Sequence, residues 1–229
     1  MAHASISAVL FDVDGTLIDT APDFVFAVNK ARSNRNKEPL AFELIRPAVS
    51  HGLAGLIQTC FGLSNTDYGY NGLFEELLEL YSAHNGRYSQ LFPGMQDVIQ
   101  HLEGHAMPWG VVTNKMSRLA KSLMRAMSLA ERTNCIVGGD TVSRAKPHPD
   151  PLIHACKLID RKPEECLYVG DAERDIVAGR AAGMITAVAL FGYIGEKDDP
   201  HSWGADILLH SPDDLLCWLQ QGAGEVASS

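Results

Sequence analysis

The chain has 229 residues, 46% of them hydrophobic and 21% charged, and a formal net charge of −9 at pH 7. That balance suits a soluble globular chain forming one large domain, or a core domain with a smaller insertion. It argues against nucleic acid as a substrate, which needs clustered Lys and Arg, and no apolar run approaches the length of a membrane span.

Met1-Ala-His-Ala-Ser5 lacks the charged-then-apolar layout of a secretory leader. The cysteines, Cys60, Cys135, Cys156, Cys166 and Cys217, are scattered and form no C-x-x-C pair. They read as reduced core thiols, and the expected location is the cytoplasm.

The first predicted element is a buried strand over Ala8 to Phe11, an apolar run that stops abruptly at carboxylates and a glycine. Asp12 and Asp14 are two apart, so on extended backbone their side chains point the same way. With Gly15 and Thr16 they suggest a divalent cation and a phosphate, although Asp and Gly are also ordinary turn residues. Asp19, Thr20 and Pro22 resemble a helix start, with a helix over Phe24 to Arg32. Asp19 and Asp23 are expected to cap or solvate that helix. Three more helical patterns follow, at Leu40 to Pro47, Leu53 to Phe61 and Tyr70 to Asn85, with no strand between them.

From Phe92 the pattern alternates. Helices are predicted from Pro93 to Leu102, Arg118 to Met127, Pro149 to Ile159, Glu173 to Ala182 and Pro212 to Gln220. Between them lie strands at Trp109 to Thr113, Cys135 to Val137, Cys166 to Gly170, Ile185 to Leu190 and Ile207 to Leu209. Such alternation predicts an α/β protein with a mainly parallel sheet covered by helices on both faces. A helical insertion interrupts it after the first strand, and Gly222 to Ser229 is expected to fray.

The strands end in polar residues of particular kinds: Asp12 and Asp14; Thr113, Asn114 and Lys115; Gly170 and Asp171, with Asp175 four residues on. Lys146 lies in Lys146-Pro-His148-Pro149, where His148 reads as turn chemistry. In a parallel sheet all of these strand ends share one edge. Carboxylates for a hard cation, hydroxyl and amide donors for oxygens and one ammonium together describe a metal-assisted phosphate site.

Asp12-Val-Asp14-Gly-Thr16, Thr113-Asn114, Lys146-Pro147 and Gly170-Asp171-x-x-x-Asp175 resemble, in order and spacing, the four motifs of the haloacid dehalogenase-like phosphohydrolases. The resemblance implies a Rossmann-like three-layer core over 1–18 and 91–229 and a small α-helical cap over 19–90, with hinges near Ile18 to Ala21 and Gln90 to Pro93. It implies Asp12 as nucleophile and Asp14 as general acid and base. It places Mg²⁺ on the Asp12 carboxylate, the Asp14 backbone carbonyl and Asp171, with Asp175 assisting directly or through water. Thr113 and the Asn114 N–H would bind phosphoryl oxygens, and Lys146 would offset their charge.

The presence of Asp14 sets the chain apart from the dehalogenases of that superfamily. The cap lysines, Lys30 and Lys37, do not suit the Schiff-base chemistry of a phosphonatase. Thr113-Asn114-Lys115, Arg46-Pro-Ala-Val-Ser50-His51-Gly52, and Phe191-Gly-Tyr-Ile194 followed by Trp203-Gly-Ala-Asp206, are similar to the phosphoglycolate phosphatase branch. Within it, Trp109-Gly-Val-Val-Thr-Asn-Lys115 and the region from Gly192-Tyr-Ile194 to Trp203-Gly-Ala-Asp206 are similar to bacterial N-acetylmuramic acid 6-phosphate phosphatases. The implied partner is a small phosphorylated metabolite. Arg46, Ser50 and His51 are the candidates for reading its non-phosphate end; a solvated Arg46 and a helix-capping Ser50 are the plainer alternatives. A β-phosphoglucomutase-like transferase and an inactive phosphometabolite-binding protein remain as competing readings.

Overall fold

The computed structural model describes residues 6–221, so Met1–Ser5 and the tail expected to fray at Gly222–Ser229 lie outside the described residues. The chain opens with β1 (Ala8–Phe11) and a two-residue β2 (Ile18–Asp19). Four helices follow: α1 (Ala21–Ser33), α2 (Phe42–Val49), α3 (Gly52–Phe61) and α4 (Tyr70–His84). The chain returns through β3 (Gln90–Leu91) to α5 (Met95–Gly104), β4 (Trp109–Val112), α6 (Ser117–Ala126) and β5 (Cys135–Val137). It ends with α7 (Asp150–Leu158), β6 (Cys166–Gly170), α8 (Glu173–Ala182), β7 (Ile185–Ala189), β8 (Ile207–Leu209) and α9 (Pro212–Gln220).

One sheet runs in the order β5-β4-β1-β6-β7-β8, and every pairing in it is parallel. Side chains alternate across a strand, and β1 is used on both faces. Val9 and Phe11 pack with Val98, Leu102 and Leu215 of α5 and α9, while Ala8 and Leu10 pack with Leu152, Ala155 and Ala178 of α7 and α8. Burying a large apolar side chain stabilises by about 1.5–3 kcal/mol, which favours a continuous apolar run over an alternating one. The result is a three-layer, Rossmann-like α/β core with β1 at its centre.

The helices α1–α4 form a separate layer over the strand ends. α1 packs on α2 and α4, and α3 on α2 and α4. Phe24, Val28, Ile45, Ile57, Leu73 and Leu77 are buried here, in the same apolar cluster as Val9 and Phe11. Among the described residues no helix is long and apolar enough to cross a membrane.

Three local expectations are corrected. Asp23 is neither a cap nor solvated: it is 0% exposed, and its carboxylate accepts the backbone N–H groups of Gly86 and Tyr88, both at 2.8 Å, and the Ser89 hydroxyl at 2.6 Å. A carboxylate taken out of water needs such donors, and here the loop after α4 supplies them. Ser50 ends α2 as its C-cap, while His51 occupies the N-cap of α3. The sequence pattern also misses an antiparallel ribbon, Ile18 opposite Leu91 and Asp19 opposite Gln90, where the chain leaves and rejoins the sheet. Two residues per strand carry no periodicity to detect.

Candidate active site

β1 lies between β4 and β6, so Asp12, Thr113 and Asp171, each directly after its strand, meet at one edge with nothing between them. Asp12 is 3% exposed; its Oδ1 accepts the Val13 N–H at 2.7 Å and lies 3.2 Å from Lys146 Nζ. Burial alone would raise its pKa. The charges of Lys146 and Arg174, with hydrogen bonds from Val13 and Thr113, outweigh burial and hold the carboxyl below its ordinary range. Asp12 is therefore kept ionised.

Lys146 is fully enclosed. Its Nζ donates to Asp175 Oδ1 at 2.6 Å, the Tyr168 hydroxyl at 2.7 Å and the Val112 carbonyl at 3.0 Å. Asn114 fixes the lysine's own backbone, donating from Nδ2 to the Lys146 carbonyl at 2.9 Å and accepting the Lys146 N–H at 3.0 Å. The Asn114 side chain is thus occupied, while its backbone N–H donates no hydrogen bond among the described residues.

One oxygen from each of Asp12, Asp171 and Asp175 lies within 4.8 Å of the others, and all three residues are buried. Burial, then the charges of Asp12 and Asp175, push the Asp171 carboxyl up to about 8 despite the Tyr193 N–H and Arg174. Three crowded buried carboxylates, one of them protonated at neutral pH, suit a hard divalent cation whose charge removes that repulsion. Gly15, at φ +84°, belongs to this cradle, since a side chain there would strike the Asp171 carboxylate. Asp175 is the most committed member: its Oδ1 receives Lys146 and its Oδ2 accepts the Ala172 N–H at 3.1 Å.

The Asp14 carboxylate stands apart from this trio. Its Oδ1 accepts the Thr20 hydroxyl at 2.6 Å and Lys115 Nζ at 2.8 Å. It is not among the three carboxylates that cluster within 4.8 Å. Lys115 also donates to the Tyr81 hydroxyl at 2.6 Å and lies 5.0 Å and 4.6 Å from the ring centroids of Phe24 and Tyr81. A lysine of the sheet edge thus joins Asp14 to the helical layer.

These groups floor a cavity of about 470 Å³ between the strand ends and the helices. Asp12, Asp14, Thr113 and Asn114 lie on the sheet side, and Ser50 and His51 on the helical side, within apolar walls that include Phe24, Leu53 and Leu78. Arg46 does not line it: its guanidinium donates to the Phe191 carbonyl at 3.0 Å and lies 4.9 Å from the Tyr193 ring centroid. Stacking of the half-buried guanidinium on the aromatic ring favours that position. The cavity's arginine is Arg174, on the first turn of α8, which the sequence reading overlooked inside the Gly170-to-Asp175 motif. Its position between two acidic motif residues was the available signal. Lys115, present as a strand-end residue but given no partner, is the second omission.

A profile of the haloacid dehalogenase-like hydrolases matches residues 9–189. The chain is 40% identical over 210 residues to an N-acetylmuramic acid 6-phosphate phosphatase of Pseudomonas putida, covering 92% of this chain and 94% of that one. It is 41% identical over 208 residues to a phosphoglycolate phosphatase of Xanthomonas campestris pv. campestris, covering 91% and 94%. A solved structure from Haemophilus somnus 129PT superposes with a TM-score of 0.82 at 23% identity, over 94% of this chain and 98% of that chain, which shows the fold. CbbY from Rhodobacter sphaeroides, solved with xylulose 1,5-bisphosphate, superposes with a TM-score of 0.72 at 25% identity, covering 92% and 96%. The catalytic-edge carboxylates, the parallel sheet and these likenesses agree: the chain belongs to the haloacid dehalogenase-like hydrolase family.

Proposed function

We propose that the protein is a Mg²⁺-dependent phosphomonoesterase that works through an aspartyl-phosphate on Asp12. The observation that carries this is Asp12 itself: a buried carboxylate held ionised by Lys146 at 3.2 Å on the floor of a cavity, with Asp14 two residues on. Asp12 attacks phosphorus and the ester P–O bond breaks as Asp14 gives a proton to the leaving oxygen. Asp14, now a carboxylate, takes a proton from water as that water attacks phosphorus, and the P–O bond to Asp12 breaks. The cation would be held by the Asp12 and Asp171 carboxylates and the Asp14 carbonyl, with Asp175 in support. Bound there, it supplies charge that offsets the phosphoryl oxygens. Thr113 and the Asn114 N–H bind those oxygens, and residues 19–90 act as a cap that excludes bulk water on a core of 1–18 and 91–229.

For the substrate, a cavity of about 470 Å³ with apolar walls falls within the roughly 300–1,000 Å³ of pockets that enclose drug-sized ligands. That supports a sugar-sized phosphate of the N-acetylmuramic acid 6-phosphate kind, the substrate named for the P. putida relative. Phosphoglycolate, named for the X. campestris relative, is the second reading. Phosphate release with Mg²⁺ from both compounds, β-glucose 1-phosphate and a nucleoside monophosphate tests this, comparing wild type with Asp12→Asn. Release from one of the first two, abolished by the substitution, is expected. Isomerised sugar phosphate without net release would indicate a mutase, and binding without turnover of any compound would overturn the enzyme reading.

A further inference from the structure

The site contains three cations near the reacting group, and their hydrogen-bonding capacity differs. Lys146 has three N–H donors, and Asp175, Tyr168 and Val112 engage them at 2.6–3.0 Å, with Asp12 Oδ1 at 3.2 Å. It neutralises charge at Asp12, and a phosphoryl oxygen there would share donors that are already engaged. Lys115 is held by Asp14 and Tyr81.

Arg174 is different. Its guanidinium lines the cavity, forms no ion pair among the described residues, and makes one hydrogen bond there, to Ser50 Oγ at 3.3 Å. Five donors with one long contact leave a planar fork open to the cavity. It lines the same cavity as Asp12, Thr113 and Asn114, the residues around the phosphoryl position. A half-buried, incompletely paired cation is costly to hold, and an incoming anion removes that cost.

We propose that Arg174 is a second cation that touches the phosphoryl oxygens of the substrate, beside Lys146, with Ser50 of α2's C-cap aiming its guanidinium. This deepens the phosphatase reading and rests on it. A forked guanidinium donates two parallel hydrogen bonds to a phosphoryl group, and such a donor stabilises the charge that spreads over those oxygens during transfer. Arg174 is then a catalytic residue and Ser50 a positioning residue. Ser50 links the contact to the helical layer, so the arginine is aimed only when that layer is seated over the strand ends.

The test is calorimetric binding of inorganic phosphate in the presence of Mg²⁺, with kcat and KM on two phosphomonoesters of unlike leaving group. Arg174→Gln should weaken phosphate binding about tenfold to a hundredfold and lower kcat/KM about 10²–10³-fold on both esters alike. Arg174→Lys should recover less than half of the lost binding free energy, since it keeps the charge and loses the fork. Ser50→Ala should raise KM a few-fold and leave the fold intact. Phosphate affinity within twofold of wild type in Arg174→Gln would overturn the proposal, and so would full recovery in Arg174→Lys. Thermal melting of each variant separates a loss of fold from a loss of contact. Wild type that binds phosphate but hydrolyses neither ester would defeat the phosphatase reading while still allowing the binding comparison to decide on Arg174.

Discussion

Replacing Lys146 with Met tests how the floor of the site is held together. The lysine side chain is 0% exposed and pairs with Asp175, also 0% exposed, at 2.6 Å. Met fills a similar length without the charge. Asp175 would then be a buried carboxylate with only the Ala172 N–H and the Tyr168 hydroxyl as donors. Breaking a buried pair by removing one partner costs about 3–5 kcal/mol. In a chain of this size that lowers the melting temperature by roughly 6–20 °C.

Asp12 changes as well. Its carboxyl, held below 3.8 in the folded protein, contributes stability that is present above pH 3.8 and lost as the pH falls through the lowered value. Without Lys146 burial prevails, the carboxyl moves up, and that contribution disappears. The assay is thermal and urea unfolding of wild type, Lys146→Met and Lys146→Met/Asp175→Asn without Mg²⁺, from pH 4 to pH 7. The double variant, which removes both charges, should regain at least half of the loss. A single variant that melts within about 3 °C of wild type would refute the reasoning, as would a double variant with no recovery.

Two further outcomes follow from the same contacts. Asp171 has a folded pKa of about 8 against an ordinary 3.8, so its contribution to the metal-free protein is fully present below pH 3.8 and lost as the pH rises through about 8. Metal-free stability should fall between pH 5 and pH 8, by at most about 1.4 kcal/mol per pH unit; Asp171→Asn should flatten the slope, and Mg²⁺ affinity should rise up to about tenfold per pH unit over that range. Tyr193→Phe removes a hydroxyl that accepts the Thr20 and Ala21 N–H groups at 2.6 and 2.8 Å and donates to Asp19 at 2.7 Å. Its cost in urea unfolding should be about 1–3 kcal/mol, because donors at the start of α1 are left unsatisfied; a loss below about 0.5 kcal/mol would show that water replaces the hydroxyl.

The strand ends were legible in the sequence for a physical reason. A strand buried on both faces must be apolar throughout, so Ala8–Phe11 and Cys166–Gly170 stop conspicuously where Asp12 and Asp171 begin. Parallel pairing then gathers those ends without further information. What remained hidden depends on contacts remote in the chain. Beyond its place between two acidic motif residues, nothing local marks Arg174 on its helix's first turn, because its partner Ser50 lies 124 positions away. Arg46 reads as a contact for the substrate's non-phosphate end until the Tyr193 ring takes its guanidinium. Lys115 and Tyr81, 34 positions apart, share no local pattern.

The ribbon of β2 and β3 makes the helical layer a cassette. The chain enters through Ile18–Asp19 and returns through the paired Gln90–Leu91, so the two ends of the insert lie about 4.8 Å apart, one strand spacing. To the sheet, everything between is a closed loop, and each doubling of loop length costs only about 0.6 kcal/mol in closure entropy. A short turn or a differently shaped set of helices could therefore be spliced across the same ribbon without displacing Asp12, Asp171 or Lys146. What a replacement must restore is the seam between the two layers, where Tyr81 now meets Lys115 and Ser50 meets Arg174.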